Sequence, residues 1–555
     1  MTPRIHYEAV LVAVEAFATQ ALRLQILDPS DRDYGGFRCP EHWVCEPLAA
    51  ANTFASLTTL HQTPDSQYYH SSELLERMHL AMEFIIRSQH EDGTINAYFY
   101  GAMRAAPTVA LASHALLRAH RWLSRKNQHE ELLRPIRAFL RKGMEAIKHK
   151  AMFTSHDCCV AAAVLTEFDK QFDDRAAVAK AGSYLQDSIA INNDGIYSDR
   201  STAYSMLSNA MLLILAEKFG RPPLLEYVRR SLNFFLHAFH ANGEVATEFS
   251  HREDLENGMP TGYSVWKQMS IIDHNGYYAS GGDATLTAYL RRLDHGFIRP
   301  NLNHPNRHFK KQGESRFLMT SDIGELLAIE SERNNDWITR LPIPHQYEEV
   351  YPESNIARIR ADKVSATIIG DKPILFALQN RGVIIDGFRI RYVYHGFRDY
   401  IPIGLEVDEG VYISHNEIIQ YVYKPTPNRR EVIPLNLQIF VEIEPIADGF
   451  QLRVTTEGEK RIPLQLEFGL RKEGNLYIGD VEYDLSETDI VFLDKEPARI
   501  VIGTDEIEID GGVTEHKIYS FDDDWTVNLE TARLLITPTT PYDGVIRITC
   551  REREA

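Results

Sequence analysis

The apolar positions of this chain change rhythm once. Through the first 300 residues they recur every three or four positions, the spacing that lays a stripe along one side of a helix. Segments with this period, or with helix-favouring composition, cover residues 4–27, 46–62, 71–90, 107–125, 130–149, 155–168, 173–190, 200–219, 223–240, 261–273 and 283–294. From about Ser315 the runs become short and alternating, as in "KVSATIIG", "FRIRYVYHG", "LQIFVEIEP" and "VIRITCR". Val, Ile, Tyr and Phe fill them and Gly, Asn, Asp or Pro bound them, the pattern of an antiparallel β-domain. Between the halves, "RPNLNHPNRHFKKQGES" carries prolines, asparagines and charge without a period and reads as a linker. The expected organisation is an α-helical domain over 1–300, a linker over 301–314 and an antiparallel β-sandwich over 315–555.

The helical half carries a weak repeat. "IIRSQHEDGTI", "SIAINNDGIYS" and "LHAFHANGEVA" each end an apolar helix and pass through Asp-Gly or Asn-Gly into an extended tail. Their glycines, Gly93, Gly195 and Gly243, are spaced by near multiples of ~50 residues, the size of a helical hairpin. Hairpins stacked in this way predict a solenoid or an α/α toroid, incomplete or closed. Its inner helices are buried, and its loops gather at one end, where chemistry is to be sought.

Composition narrows the function classes. A chain of 555 residues exceeds what one core organises, and its 44% hydrophobic and 25% charged residues are those of an ordinary globular protein. The net charge of −19 argues against a nucleic-acid binder, which needs an excess of Lys and Arg, and against nonspecific grip on a long polyanion. A local basic pocket can still hold a short acidic ligand. The N-terminal run lacks a small-residue cleavage site and is broken by Glu15, so a first helix and a cytoplasmic location are expected. No stretch reaches the roughly 18 apolar residues of a membrane span. The five cysteines have no paired metal spacing and read as reduced thiols. "YYASGGDAT" lacks the strand that a dinucleotide site requires, and Glu248, His251 and Asp254 in "EFSHRED" match no strong metal signature. Neither a cofactor nor a metal is expected from these motifs, and a homo-oligomer is left open.

Two helix starts carry candidate chemistry. In "DGIYSDRSTAYSML", Tyr204 shares a stripe with Leu207, Met211 and Ile214, and Arg200 precedes it by four residues. A guanidinium near the phenol favours its ionised form. The plainer reading is a core tyrosine bonded to a backbone carbonyl. In "FTSHDCCVAAAVLTEF", Thr154 or Ser155 caps a helix whose first turn holds His156. The helix's positive end disfavours protonation there. The plainer reading is a capping-turn histidine satisfied by Asp157 or water.

Together these segments resemble the heparinase II/III-like and oligoalginate-lyase group of polysaccharide lyases. The family's histidine is matched at His156 in "TSHD", and its Ser-x-x-Tyr helix start at Tyr204. "DYGGF", "QHEDGTIN" and "NGEVATEFSHRED" also look like segments of that group. The resemblance implies an α/α toroid followed by a β-sandwich, with Tyr204 as acid, or as both acid and base, His156 as base or carboxylate partner, and Arg200 steadying the phenolate. It departs from the family at Ser155, where an asparagine usually neutralises the substrate carboxylate, and at Ser205, often a histidine. Arg200, Asn209, His251 or Arg252 are the candidate replacements. Such families often add a histidine from the β-domain, here His395 in "YVYHGFRDY", with His415 as competitor.

Sugar clefts use aromatic faces and planar polar groups. His42 and Trp43, Tyr98, Tyr100 and Arg104, and Tyr263 and Trp266 lie near predicted helix ends and as a set favour such a cleft, although for each alone core packing is the better reading. The expected function is a lyase acting on an acidic saccharide, preferably an oligosaccharide, by β-elimination. One alternative is a toroid glycoside hydrolase, needing two carboxylates from Asp33, Asp92, Asp199, Glu248 and Asp254. A noncatalytic carbohydrate-binding protein is the other.

Overall fold

The computed structural model describes all residues except 1–2, 41, 99–100, 126–128, 187–188, 221, 253–259, 295–322, 334–337, 395, 424–429, 521–530 and 554–555. The chain forms two compact units. The first comprises Met1–Ser198, Thr202–Asn233 and Met259–Pro342, and the second Asp199–Ser201, Phe234–Gly258 and Ile343–Ala555.

The first unit is helical: α1 (Pro3–Leu24), α2 (Pro47–Gln62), α3 (Ser72–Ser88), α4 (Ala106–Ser124), α5 (Glu130–His149), α6 (Ser155–Phe172), α7 (Arg175–Gln186), α8 (Thr202–Phe219), α9 (Pro223–Leu236, its last turn in the second unit), α10 (Tyr263–Ile272), α11 (Gly276–Asp294) and α12 (Gly324–Arg333). A hairpin of β1 (Ile95–Ala97) and β2 (Ala102–Ala105) precedes α4. Helices α2, α4, α6, α8, α10 and α12 each pack on the next, and α12 packs back on α2. They form the inner ring. Their sequences suit it: "PLAAANTFASLTTLHQ" of α2 is buried at all but one position, because small Ala, Ser and Thr side chains let neighbours approach from every side. Outer helices α3 and α5 instead bury one face, as in Leu74, Met78, Ala81, Met82 and Ile85 of α3.

The expected linker, 301–314, lies outside the described residues. Helix α12 stands within the stretch expected to be β, and the first unit runs on to Pro342. Its ten residues, "GELLAIESER", are too short for a decisive period. Packing against α1, α2 and α10 holds it helical.

The second unit is a sandwich of two sheets. One runs β16 (Ile490–Phe492), β19 (Thr531–Ile536), β13 (Leu464–Arg471), β7 (Val383–Val393), β6 (Ile374–Asn380), β5 (Val364–Ile369), β4 (Ile356–Ala361) and β3 (Gln346–Tyr351), with β8 (Phe397–Asp399) beside β7. The other runs β15 (Val481–Asp484), β14 (Asn475–Ile478), β17 (Ala498–Ile502), β18 (Asp505–Asp510), β20 (Asp543–Glu552), β12 (Gly449–Gly458), β11 (Arg430–Ile446), β10 (Val411–Tyr423) and β9 (Glu406–Asp408). Among the described residues, the named strands pair antiparallel except β16 and β19. Phe376, Phe388 and Phe468 of the first sheet share one core with Leu437, Val441 and Phe450 of the second.

Strand β6 is buried along its whole length, so its sheet is covered on both faces. The second cover is the segment 234–252. His240 Nδ1 lies 2.7 Å from Ser365 Oγ on β5, and Arg471 on β13 pairs with Glu244 and Asp386, both at 2.8 Å. Polar side chains of β5, β7 and β13 on this face are thus set against polar partners instead of water. Among the described residues, no helix is long and apolar enough to cross a membrane.

Candidate active site

Helix α6 begins at a reciprocal cap. Thr154 Oγ1 accepts from the Asp157 N–H at 3.2 Å, and Asp157 Oδ2 accepts from the Thr154 N–H at 3.1 Å. This fixes the first turn and with it His156, whose Nδ1 lies 3.0 Å from Thr154 Oγ1 and whose Nε2 lies 3.6 Å from Asp157 Oδ1. His156 is 9% exposed. Tyr204 occupies the first turn of α8, the next inner helix, and its ring stacks on the His156 imidazole with centroids 4.4 Å apart at 28°. Both rings therefore stand at helix N-termini, where the unpaired N–H groups favour negative charge.

The stripe Tyr204, Leu207, Met211 and Ile214 is not the covered side of α8. Only Met211 of the four is buried, whereas Ser205, Met206, Ser208, Asn209 and Leu212 are. An inner helix is packed from several sides, so its apolar spacing does not single out one buried face. Asn209 is fully buried. Its Oδ1 accepts from the Tyr197 hydroxyl at 2.8 Å and its Nδ2 donates to Ser231 Oγ at 2.9 Å. Burial pushes the Tyr197 phenol well above its ordinary pKa, which keeps it a donor.

Successive inner helices bring further candidates to their N-terminal ends. Trp43, before α2, is 76% exposed, and Tyr98, before α4, is 47% exposed with its N–H donating to Glu46 Oε2. Exposed Arg104 lies 3.6 Å from Asp92, and His42 is half-buried. Tyr100 lies outside the described residues. At α10, by contrast, Trp266 is 1% exposed and packs against Tyr278 and the backbone of Gly281. Buried Tyr263 donates to Glu330 at 2.5 Å. Close packing leaves neither ring a face for a sugar.

In the second unit, Arg200 holds Asp371 through two hydrogen bonds, at 2.8 and 2.6 Å. Arg252 donates to Asp199 at 2.9 Å, and exposed His251 donates its backbone N–H to the Asp199 carbonyl at 3.1 Å. His415 is exposed on β10 and stacks on Phe440, while His395 lies outside the described residues. The carboxylates weighed for hydrolysis are engaged. Lys150 holds the Asp92 carboxyl well below the usual range from 2.7 Å, Glu248 accepts from Thr367 and from the Thr247 N–H, and Asp33 faces Arg32. Asp254 lies outside the described residues. Asp371, Tyr197 and Ser231 escaped the sequence reading because pairs so distant in the chain leave no periodic trace.

No family model matches the chain, and no curated protein matches its sequence. Solved structures match over 99% of the chain. Paenibacillus xanthan lyase does so at a TM-score of 0.56 and 10% identity, and Streptomyces coelicolor chondroitin AC lyase, solved with chondroitin sulphate, at 0.54 and 11%. The chain spans 56% of the length of the xanthan lyase and 78% of that of the chondroitin AC lyase. Its fold is accordingly the α/α toroid and antiparallel β-sandwich of these two polysaccharide lyases.

Proposed function

We propose that the protein is a carbon–oxygen lyase that cleaves a uronic-acid-containing oligosaccharide by β-elimination. The observation that carries this reading is the stack of His156 on Tyr204 at the N-termini of adjacent inner helices. In the reaction, a base removes the proton on C5, next to the carboxylate. The electron pair forms the C4–C5 double bond, the C4–O bond breaks, and an acid protonates the departing oxygen. His156 takes the C5 proton and the Tyr204 hydroxyl supplies the proton to the leaving oxygen. Charge developing on the carboxylate is stabilised by the positive ends of α6 and α8.

Arg104 is the proposed source of a cation for that carboxylate, sharing it with Asp92, which lies 3.6 Å away. Trp43 and Tyr98 supply exposed rings for stacking, with His42 as a further polar contact. Asn209 and Trp266, both buried, act on the fold. The net charge of −19 favours a short substrate over a long sulfated polymer.

The test is incubation with glucuronate-, iduronate-, mannuronate- and galacturonate-containing oligosaccharides. A lyase generates ultraviolet-absorbing unsaturated ends and fragments whose masses sum to that of the substrate. A hydrolase adds one water to that sum and creates no chromophore. Binding without either product identifies a carbohydrate-binding protein.

A further inference from the structure

At the other end of the inner helix α2, three histidines distant in sequence converge. His61 lies in its last turn, His70 in the turn before α3, and His129 caps α5. The rings of His70 and His129 stand edge-on to His61, with centroids 5.4 and 5.1 Å away. One ligand nitrogen from each lies within 4.8 Å of the others. We propose that His61, His70 and His129 form a binding site for a divalent transition-metal ion of the zinc class, separate from the His156–Tyr204 pair.

His129 carries the argument furthest. Its Nδ1 lies 3.2 Å from Glu131 Oε1, an arrangement in which Nδ1–H donates to the carboxylate and leaves a lone pair on Nε2. That Nε2 is buried and has no hydrogen-bond partner among the described residues. A buried nitrogen acceptor left unpaired costs stability, and a metal ion would recover it. The carboxylate–histidine pair is also the arrangement that orients imidazole ligands of metals. His61 is buried, with Gln62 Nε2 3.0 Å from its Nδ1. A half-turn of that amide presents oxygen to Nδ1–H and frees Nε2 for the ion.

Three imidazoles suit zinc, nickel or copper, whereas calcium and magnesium prefer oxygen ligands. A tetrahedral zinc holds nitrogens at about 2.0–2.1 Å, hence about 3.3 Å from one another, with a fourth position for water. Side-chain rotations that close the present spacing by about 1.5 Å would assemble such a site. His70 and His129 both have left-handed backbone, with φ of 51° and 66°. The ion would tie α2 to the start of α5. No motif announces the site, because its members come from three separate loops and helix ends.

The test uses the full chain, stripped with a chelator and dialysed. Zinc is titrated in competition with a chromophoric chelator, and cobalt(II) serves as an optical probe of coordination. One equivalent of zinc is expected, with the intense visible bands of tetrahedral cobalt. His129→Ala and exposed His70→Ala should each weaken zinc by more than about 100-fold, and Glu131→Gln by about 10–100-fold, the range typical of outer-shell partners. Circular dichroism confirms that each variant is folded. Wild-type protein that takes up no equivalent, or folded His70 and His129 variants that bind as tightly as wild type, would overturn the site.

Discussion

The imidazole of His156 and the phenol of Tyr204 lie face to face, 4.4 Å apart, although 48 residues separate them in the chain. An elimination needs a proton removed at one carbon and another delivered to the oxygen leaving the next, and the pair offers one group for each step. Tyr204→Phe keeps the stacked ring and deletes only the transferable proton. Turnover of the oligosaccharide found in the panel should fall by about 10²–10⁴-fold, with binding measured by calorimetry nearly unchanged. His156→Gln should act in the same direction. A Tyr204→Phe enzyme that makes unsaturated product at the wild-type rate would remove Tyr204 from the chemistry.

Arg200 and Asp371 form a two-bonded pair whose side chains are 10% and 25% exposed. A guanidinium fork on a carboxylate gains both charge and geometry, and losing one partner strands the other where water reaches it poorly. A double-mutant cycle of Arg200→Ala and Asp371→Ala, read by urea unfolding, should give a coupling of about 0.5–3 kcal/mol. Strictly additive effects would mean that the pair does not hold this part of the second unit.

The two halves of the fold were legible because a period of two and a period near 3.6 are hard to confuse over long stretches. What period could not supply was the covered side of an inner helix. Leu207 and Ile214 have the spacing of a buried stripe, yet buried Ser205, Ser208 and Asn209 show that neighbours crowd α8 elsewhere. Small polar side chains at helical spacing are the available signal for such a helix, since they pack closely while bonding across the interface. Helix α12 was hidden by its length. Arg200 found its aspartate 171 residues away, and His61, His70 and His129 meet from separate segments. Contacts of this kind are created by topology and leave no local mark.

Asn209 separates a structural role from a catalytic one. It accepts from Tyr197 and donates to Ser231, and all three are buried. Asn209→Ala leaves a phenol and a hydroxyl without their partner and should cost about 1–3 kcal/mol. Tyr197→Phe, which removes one donor and leaves no new polar group, should cost less. Urea midpoints check both. Conversely, full stability combined with lost turnover in Asn209→Ala would mean that the amide serves the substrate.

The second unit should lose stability on mild acidification because of His240. Burial, followed by the charges of Arg358, Arg360 and Arg471, lowers its pKa well below 6.5, and Ser365 lies 2.7 Å from its Nδ1. His237 is lowered in the same direction, chiefly by burial, with Glu349 opposing and Arg358 reinforcing the shift. Below about pH 6.5 the unfolded chain takes up a proton that folded His240 refuses, so the unfolded state binds more protons and gains. The contribution is complete above that pH and declines as pH falls toward the folded pKa, by at most about 1.4 kcal/mol per pH unit for each proton. His240→Asn keeps a polar partner for Ser365 but cannot titrate. Unfolding free energy measured between about pH 7 and pH 5 should fall less steeply in the variant, by up to one proton's slope. Parallel curves for the two proteins would show that His240 is protonated as readily in the folded unit as in the unfolded chain.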